Sequence, residues 1–373
     1  MYLNKFVDEV IEKDRKIFFN DLKSIGNENN LNSADLSENK DVPLITDFTE
    51  YNPFHLGHLY NLKLAKEKVP DGIFVAIVPG LFERSGRGIP YIMTRYARSK
   101  IAISLGADIV VEGPPMGIMG SGQYSLSLSA MFKSLNTDYI PRGYKPFKGF
   151  QLILDRISNG FAVSPKPYKI IDFETKEVFL DGKLEEDNYV IASLSKSMNK
   201  IGFNFKNKFI FIKRIENVSG TAIRQAIEME NFDNLSEMVP NQTISILKRE
   251  IAEHQAPLHN LRSTESILYT VNNCSYDELI SLNLLDKNTA NNILKMRENE
   301  AFTSLDEVIN SISQGFSTHF QNRILSVLEA RINKNTISHY IDNYPSIIRV
   351  LNYKSNRVLK IFKEKINRRV ELW

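Results

Sequence analysis

The chain of 373 residues is 42% hydrophobic, 10% aromatic and 24% charged, with Gly 18 and Pro 14. That composition excludes collagen-like, low-complexity and wholly disordered chains, and the length predicts two folded units with their own cores. Lys+Arg 47 against Asp+Glu 44 leaves a formal net charge of +3, too near balance to name a partner, while a single cysteine, Cys274, excludes a disulfide-stapled secreted scaffold and points to a reducing cytoplasm.

Residues 1–25 place Phe6, Val10, Ile11, Ile17, Phe18, Leu22 and Ile25 at near-helical spacing, with charges on the opposite face. Those charges exclude a signal peptide. No run approaches the roughly 18 apolar residues of a membrane span, so a cytoplasmic protein with no membrane partner is expected. The polar run GNENNLNSADLSENK reads as an exposed linker, which makes residues 1–40 a helical extension and its tether.

The pattern changes at residue 42. VPLITDF has strand length and is followed by the turn-like TEYNPFH and an amphipathic helix from Leu59 to about Lys68. IFVAIVPG is a second buried strand, TRYARSKIAISLG a helix closed by Gly106, and ADIVVEGPP a third strand. A weaker helix in SLSLSAMFKSL precedes a possible fourth strand in DYIPRG. Then come a helix in FKGFQLILDRISNG, a long turn-rich segment, a helix in NYVIASLSKSMNKIGF, the strand KFIFIKRI and a helix start at SGTAIRQAI. Alternating strands and helices at this spacing predict an α/β fold with a Rossmann-like parallel sheet over residues 41–240. Beyond residue 240 the strand signal disappears, and 241–373 is expected to be an all-helical domain.

The segment TDFTEYNPFHLGHLY carries the chemistry. A buried strand runs into a loop, and His55-Leu56-Gly57-His58 opens a helix, whose amides and dipole suit a phosphate. Two histidines add donors for the α-phosphate and the departing pyrophosphate, and Gly57 leaves room for a flat ring against the backbone. This is the logic of the HxGH signature of nucleotidylyltransferases, and its place after the first parallel strand is where open sheets bind ligands. A second element, Val218-Ser219-Gly220-Thr221-Ala222-Ile223-Arg224, sets hydroxyls at a helix start with an arginine one turn in, an anion-holding arrangement matching the S-x-T-x-x-R element of such enzymes. Arg84, Arg87, Arg95 and Arg98 follow the second strand and could supply cations, although Arg95 and Arg98 also fit a solvated helix face. Glu112 ends the third strand at the same edge.

These blocks resemble one family. EYNPFHLGHLYNLKLAK is similar to the opening of bacterial tRNA(Met) cytidine acetate ligases, whose pattern is EYNPFHNGHLYHL. VAIVPGLFERSGRGIPYIMTRYARSKIAISLGADIVVEGP, SGTAIRQAI and the helical ELISLNLLDKNTANNILKMRENEAFTSLDEVI continue the likeness, which spans roughly 42–340. The resemblance implies an HxGH nucleotidylyltransferase-type ligase that adenylates acetate with ATP, with Mg²⁺ on the triphosphate, and acetylates the wobble cytidine of tRNA. It implies a catalytic set of His55, His58 and Arg84. It also implies a nucleotide-binding set of Thr49, Glu50, Asn52, Phe54, Gly57, Gly80, Ser219, Thr221 and Arg224, with no resident metal. The departures fall on the acceptor side: the family's serine-glycine after the second strand is Pro79-Gly80, its Gln-Arg-Gly-Glu is Glu83-Arg84-Ser85-Gly86, and its Phe-Gly-Ser-Glu is Ile140-Pro141-Arg142-Gly143.

Two features of the tail bear on a tRNA partner. The turn Leu284-Leu285-Asp286-Lys287 resembles a helix-hairpin-helix turn but has an acid and no glycine, which favours plain packing. Lys354, Arg357, Lys360, Lys363, Lys365, Arg368 and Arg369 form a basic stripe; all but Lys365 are assigned to RNA, against a solvated terminal helix as the alternative. A small-molecule nucleotidylyltransferase of cofactor or lipid metabolism and a non-catalytic RNA-binding protein on the same scaffold remain as competing readings.

Overall fold

Runs of β-branched residues alternate with helix formers through the first part of the chain and close into a parallel sheet. The computed structural model describes residues 2–25, 41–147, 149–161, 163–166, 169–172, 174–176, 178–181, 184–216, 218–232, 235–366 and 368–373. The linker expected over 26–40 lies outside the described residues. In chain order the elements are α1 (Tyr2–Ser24), β1 (Leu44–Phe48), α2 (Leu56–Lys68), β2 (Ile73–Pro79), α3 (Arg95–Ser104), β3 (Ile109–Gly113), α4 (Ser121–Ser134), β4 (Ile140–Tyr144) and α5 (Phe150–Ser158). Next are β5 (Val163–Lys166), β6 (Lys169–Asp172), β7 (Val178–Asp181), α6 (Glu186–Lys200), β8 (Phe209–Lys213) and α7 (Gly220–Glu228). The remainder comprises α8 (Asn241–Ala252), α9 (Thr264–Asn273), α10 (Tyr276–Ser281), α11 (Lys287–Asn299), α12 (Leu305–Ser311), α13 (Thr318–Ala330), α14 (Lys334–Asn343), β9 (Ile348–Tyr353), α15 (Asn356–Lys365) and β10 (Val370–Leu372).

Strand β1 pairs in parallel with β2, and β2 with β3; all three are buried throughout, which is why they read as unbroken apolar runs. On the other side of β1, the Thr46 amide donates to the Tyr139 carbonyl (2.8 Å) and brings in β4, itself parallel to β8. The order β3-β2-β1-β4-β8 therefore switches direction between β1 and β4, where a doubly wound sheet leaves a crevice at its C-terminal edge. One face, through Leu44, Val75 and Val111, packs on Phe132 of α4, Ile153 of α5 and Phe362 of α15. The other, through Ile45, Phe74 and Val110, packs on Leu62 of α2, Ala97 of α3, Ile223 of α7 and Leu247 of α8. A third core joins Val7, Ile11 and Phe18 of α1 to Val271, Ile293, Val327 and Ile337 of the later helices. Among the described residues no helix is long and apolar enough to cross a membrane.

Two expectations change. The turn-rich segment carries the three-stranded antiparallel sheet β5-β6-β7. The tail is not helical throughout: Pro345 follows α14, Ile347, Ile348 and Val350 lead into β9, and after α15 the chain ends on β10; β9 pairs antiparallel with β3 and parallel with β10. The last strands of the chain thus extend the sheet of the first.

That junction is sealed by buried charge. Arg95 and Arg98, which also fitted a solvated helix face, are 1% and 0% exposed. Arg95 donates to both oxygens of Asp14 on α1 (2.6 and 3.0 Å) and to Glu83 (2.9 Å); Arg98 reaches Glu83 (2.8 Å). Arg349 of β9 bonds Glu112 (2.9 Å) and Asp21 of α1. Arg95 Nε also approaches Glu112 Oε1 to 2.8 Å, out of line for a hydrogen bond, so that contact is Coulombic. Four carboxyl groups thus face three guanidinium groups, and burial, opposed by Arg95 and reinforced by Asp14 and Glu83, pushes the Glu112 carboxyl up to about 7.

Removing one partner of such a cluster leaves uncompensated charge in the interior. Arg95→Met is expected to cost about 3–5 kcal/mol, read as a lower urea midpoint at unchanged slope; a loss under about 1 kcal/mol would place the cluster with surface pairs. Glu112 keeps its proton to about 7 in the fold, against an ordinary value of 4.5. Folding therefore retains a proton that the unfolded chain releases, and stability falls as pH rises between these values. Glu112→Gln should flatten that part of the stability–pH curve; an unchanged curve would contradict the assignment.

Candidate nucleotide-binding site

The loop from β1 to α2 is tied down at every few residues. The Glu50 carbonyl accepts from Arg98 (2.8 Å), and its carboxylate accepts from the Gly86 amide (2.8 Å). Asn52 Oδ1 accepts from the Ile92 amide (2.9 Å), and the Thr49 amide donates to Ile77 (3.1 Å). Tyr51 holds a positive φ of 45, a conformation that a tyrosine keeps only when its surroundings impose it. Phe54 is fully buried, 4.4 Å from the Tyr51 ring, and both meet the His58 ring edge-on. Thr49, Asn52 and Phe54 therefore shape the loop from beneath.

His55 is the N-cap of α2. Its Nδ1 accepts from the Gly57 amide (3.1 Å), and its own amide donates to His58 Nδ1 (3.2 Å), so the two rings stack 3.7 Å apart. With both Nδ1 atoms acting as acceptors, each ring carries its proton on Nε2, which leaves two N–H donors. The first amides of α2 are engaged: Leu56 donates to Met238 and Gly57 to the His55 ring. The donors that this helix start offers are thus the imidazoles more than its backbone. Gly57 serves this arrangement, because a Cβ there would lie 3.0 Å from the His55 ring. The space expected at Gly57 for a nucleotide ring is filled by that imidazole.

Both histidines are held neutral. Burial, then Arg214 and Arg224, lower His55 to about 4. Burial, then His55, Arg214 and Arg142, hold His58 well below its ordinary value. Arg224 reaches in from α7, donating to the Asn52 carbonyl (3.2 Å) and to Thr221 Oγ1 (3.0 Å), and Ser219 caps that helix by accepting from Ala222 (3.3 Å). The structure therefore gathers His55, His58, Thr221 and Arg224 at one place, with Glu50 near Arg224 and the Asn52 carbonyl as the anchor of Arg224.

Other expected residues sit elsewhere. Arg84 is 2% exposed and lies against Glu329 of α13, donating through Nε at 2.9 Å and Nη2 at 2.5 Å. Its guanidinium joins the sheet to the helical region, which removes it from the catalytic set. Gly80 faces Glu112, which a Cβ would meet at 2.4 Å, so it accommodates the buried cluster instead of a nucleotide. The basic stripe is divided: the Lys354 amide bonds the Asp108 carbonyl before β3, at the sheet edge opposite the crevice, whereas Arg369 adjoins Ile348 at the start of β9. Lys354, Lys360, Lys365 and Arg369 approach Asp108, Glu364, Asp138 and Glu371. In the helix-hairpin-helix-like turn, Asp286 caps α11 itself by accepting from Thr289 (3.0 Å), so the acid occupies the position a phosphate would need.

Sequence reading did not assign Arg142, Arg214 or Asp47. Arg142 Nη1 donates to the Phe48 carbonyl (2.8 Å) and lies 3.7 Å from Asp47, whose other oxygen accepts from Asn61 (3.1 Å). Burial, opposed by Arg142 and Asn61, pushes Asp47 up to about 7. The available signal was positional: Arg142 lies midway along β4, next to β1 across the switch point.

Comparison with known proteins bears on the family and the fold. Residues 44–129 match the family model described as HIGH Nucleotidyl Transferase, and 145–352 match one described as Cytidyltransferase-related C-terminal region. An uncharacterized protein of Methanocaldococcus jannaschii is 48% identical over 85% of this chain and 87% of its own length. A tRNA(Met) cytidine acetate ligase of Thermosipho africanus is 31% identical over 56% of each chain, and one of Thermotoga petrophila 26% identical over 85% and 83%. The crystal structure of Thermotoga maritima TmcAL bound with alpha-thio ATP superposes with a TM-score of 0.73 at 20% identity, covering 88% of this chain and 85% of that one.

Neutral histidines make a pH prediction. His55→Gln and His58→Gln should keep the shape of the dependence of nucleotide affinity on pH between about pH 5 and 8, because the titrations of Asp47 and of the terminal phosphate of ATP remain in every variant; a step near 6.5 that disappears with either histidine would mean that imidazolium binds the phosphates. Gly57→Ala should displace the His55 ring and weaken ATP binding about tenfold or more, measured by calorimetry, without a comparable fall in melting temperature.

Proposed function

Because the chain belongs to the HIGH nucleotidyl transferase family, as a divergent member of the tRNA(Met) cytidine acetate ligases, we propose that it activates a small carboxylate with ATP and passes the acyl group to a tRNA base. The resemblance of the motifs names acetate and the wobble cytidine. The observation that carries the reading is the stacked, neutral His55–His58 pair with Arg224 beside it: donors and charge directed at a triphosphate, with no nucleophilic side chain required. A carboxylate oxygen bonds to the α-phosphorus as the bond to the bridging oxygen breaks, and pyrophosphate leaves with the electron pair. The exocyclic amine of the base then attacks the acyl carbon, AMP departs, and the amine loses a proton to solvent. Positioning and charge neutralisation are sufficient for both displacements. Magnesium on the triphosphate, which the resemblance implies, would add charge neutralisation at the phosphate oxygens.

The direct test is pyrophosphate exchange. Acetate should stimulate incorporation of labelled pyrophosphate into ATP, and His55→Ala or His58→Ala should reduce it roughly 100-fold or more. Exchange indifferent to every small carboxylate, with tRNA present, would contradict the reading. The description of the C-terminal match as cytidyltransferase-related favours a second reading, nucleotidyl transfer to a small alcohol or phosphate, which would proceed without any carboxylate.

The tRNA contact is assigned to the exposed Lys354, Arg357, Lys360 and Arg369 together with Lys363 and Arg368. Changing the four exposed residues to Gln should flatten the dependence of log affinity on log salt by roughly one unit for each phosphate no longer neutralised. An unchanged slope would move the RNA to another face.

A further inference from the structure

Arg142 is a cation in the crevice that the phosphate-holding set does not require. It stands midway along β4, across the switch point from β1, and its Nη1 is fixed at 2.8 Å by the carbonyl of Phe48, the last residue of β1. The pairing with Asp47 is long, 3.7 Å, and weak: burial outweighs Arg142 in setting the Asp47 carboxyl, whose other oxygen is taken by Asn61. No hydrogen bond from Arg142 Nη2 to another described residue is present, and the side chain keeps 16% of its surface open. The charge of Arg142 is therefore anchored without being neutralised.

Its position follows from the histidines. His55 is influenced by Arg214 and Arg224; His58 is influenced by His55, Arg214 and Arg142. Arg224 is fixed by the Asn52 carbonyl in the loop before His55, His55 stacks on His58, and Arg142 is fixed by the Phe48 carbonyl at the end of β1, so the two arginines flank the histidine pair. Displacement at phosphorus is in line, with attacking and leaving oxygens on opposite sides. If the β- and γ-phosphates lie toward Arg224 and Thr221, the α-phosphorus lies toward His58 and the nucleophile enters from the side of Arg142.

We infer that Arg142 binds the carboxylate of the acyl donor and holds it in line with the α-phosphorus. The inference rests on the carboxylate-activating reaction proposed above. Two anions must approach each other in that step, and a guanidinium at the entry side offsets their repulsion and aims one oxygen. That oxygen forms the new bond to phosphorus while the bond to the pyrophosphate bridging oxygen breaks, and no proton needs to move. Arg142 is a substrate-binding residue for the first half-reaction, with Asp47 and the Phe48 carbonyl as its supports.

The test is acetate-dependent pyrophosphate exchange with varied acetate and, separately, varied ATP. Arg142→Gln should raise KM for acetate about tenfold or more, with KM for ATP moved less than about twofold. Arg142→Lys should fall between, since it keeps the charge and loses the planar fork. The preserved ATP parameter also reports that the variants are folded. An unshifted acetate KM, or a rise confined to ATP, overturns the assignment and leaves the carboxylate-activating reading intact. No acetate-dependent exchange in the unmodified protein overturns both.

Discussion

A single buried guanidinium, that of Arg95, connects the parts of this molecule that are far apart in sequence. Its carboxylate partners are Asp14 on the N-terminal helix, Glu83 in the turn after β2 and Glu112 at the end of β3. Glu83 holds Arg98, whose second nitrogen donates to the Glu50 carbonyl in the loop that leads to His55. Glu112 and Asp21 hold Arg349 on the strand that the tail adds to the sheet. Phe82 and Glu83 carry positive φ values of 71 and 48, and the Phe82 amide donates to Asp14, so the turn is kept in an unfavoured conformation by the network around it. Buried charge of this kind is seldom the most stable solution for a core. Its consequence here is geometric: the N-terminal helix, the crevice loop and the tail are held to one arrangement.

A second buried cluster performs the same work on the other side of the loop. Glu329 takes Arg84 and the Ser263 amide, and Arg262 donates to the Gly88 carbonyl. The segment Gly80–Gly88 therefore hangs between α1 and α13. The crevice above it has the opposite design. Its histidines are neutral, with protons fixed on Nε2 by backbone partners, and its arginines come from β4, β8's end and α7. A site that collects positive charge around neutral donors is suited to a polyanion.

The local part of this was legible in sequence. Strand, loop and His-x-Gly-His helix lie within one short stretch, as does the Ser219–Arg224 cap, and each reads from its own residues. Non-local parts were not legible. Arg95 and Arg98 show helical spacing with open surroundings until Asp14, 81 residues before Arg95, is brought against Arg95 and Glu83 against Arg98. Arg84 reads as a phosphate ligand until Glu329 is placed beside it, 245 residues later. Strand β9 has the composition of a strand, but its role depends on an exposed edge at β3. The basic stripe looks continuous in sequence, while the turn from β9 into α15 sets Lys354 at one sheet edge and Arg369 toward the other.

The motif departures of this chain include Ile140-Pro141-Arg142-Gly143 where the tRNA(Met) cytidine acetate ligases have Phe-Gly-Ser-Glu. The central claim, acyl transfer to a tRNA base, is tested most directly by nucleoside mass spectrometry. Purified protein, ATP, isotopically labelled acetate and unmodified tRNA are combined, and the digested nucleosides are examined. The account predicts a labelled acetylated cytidine that disappears with His55→Ala and His58→Ala. ATP consumed with no labelled nucleoside formed would contradict it.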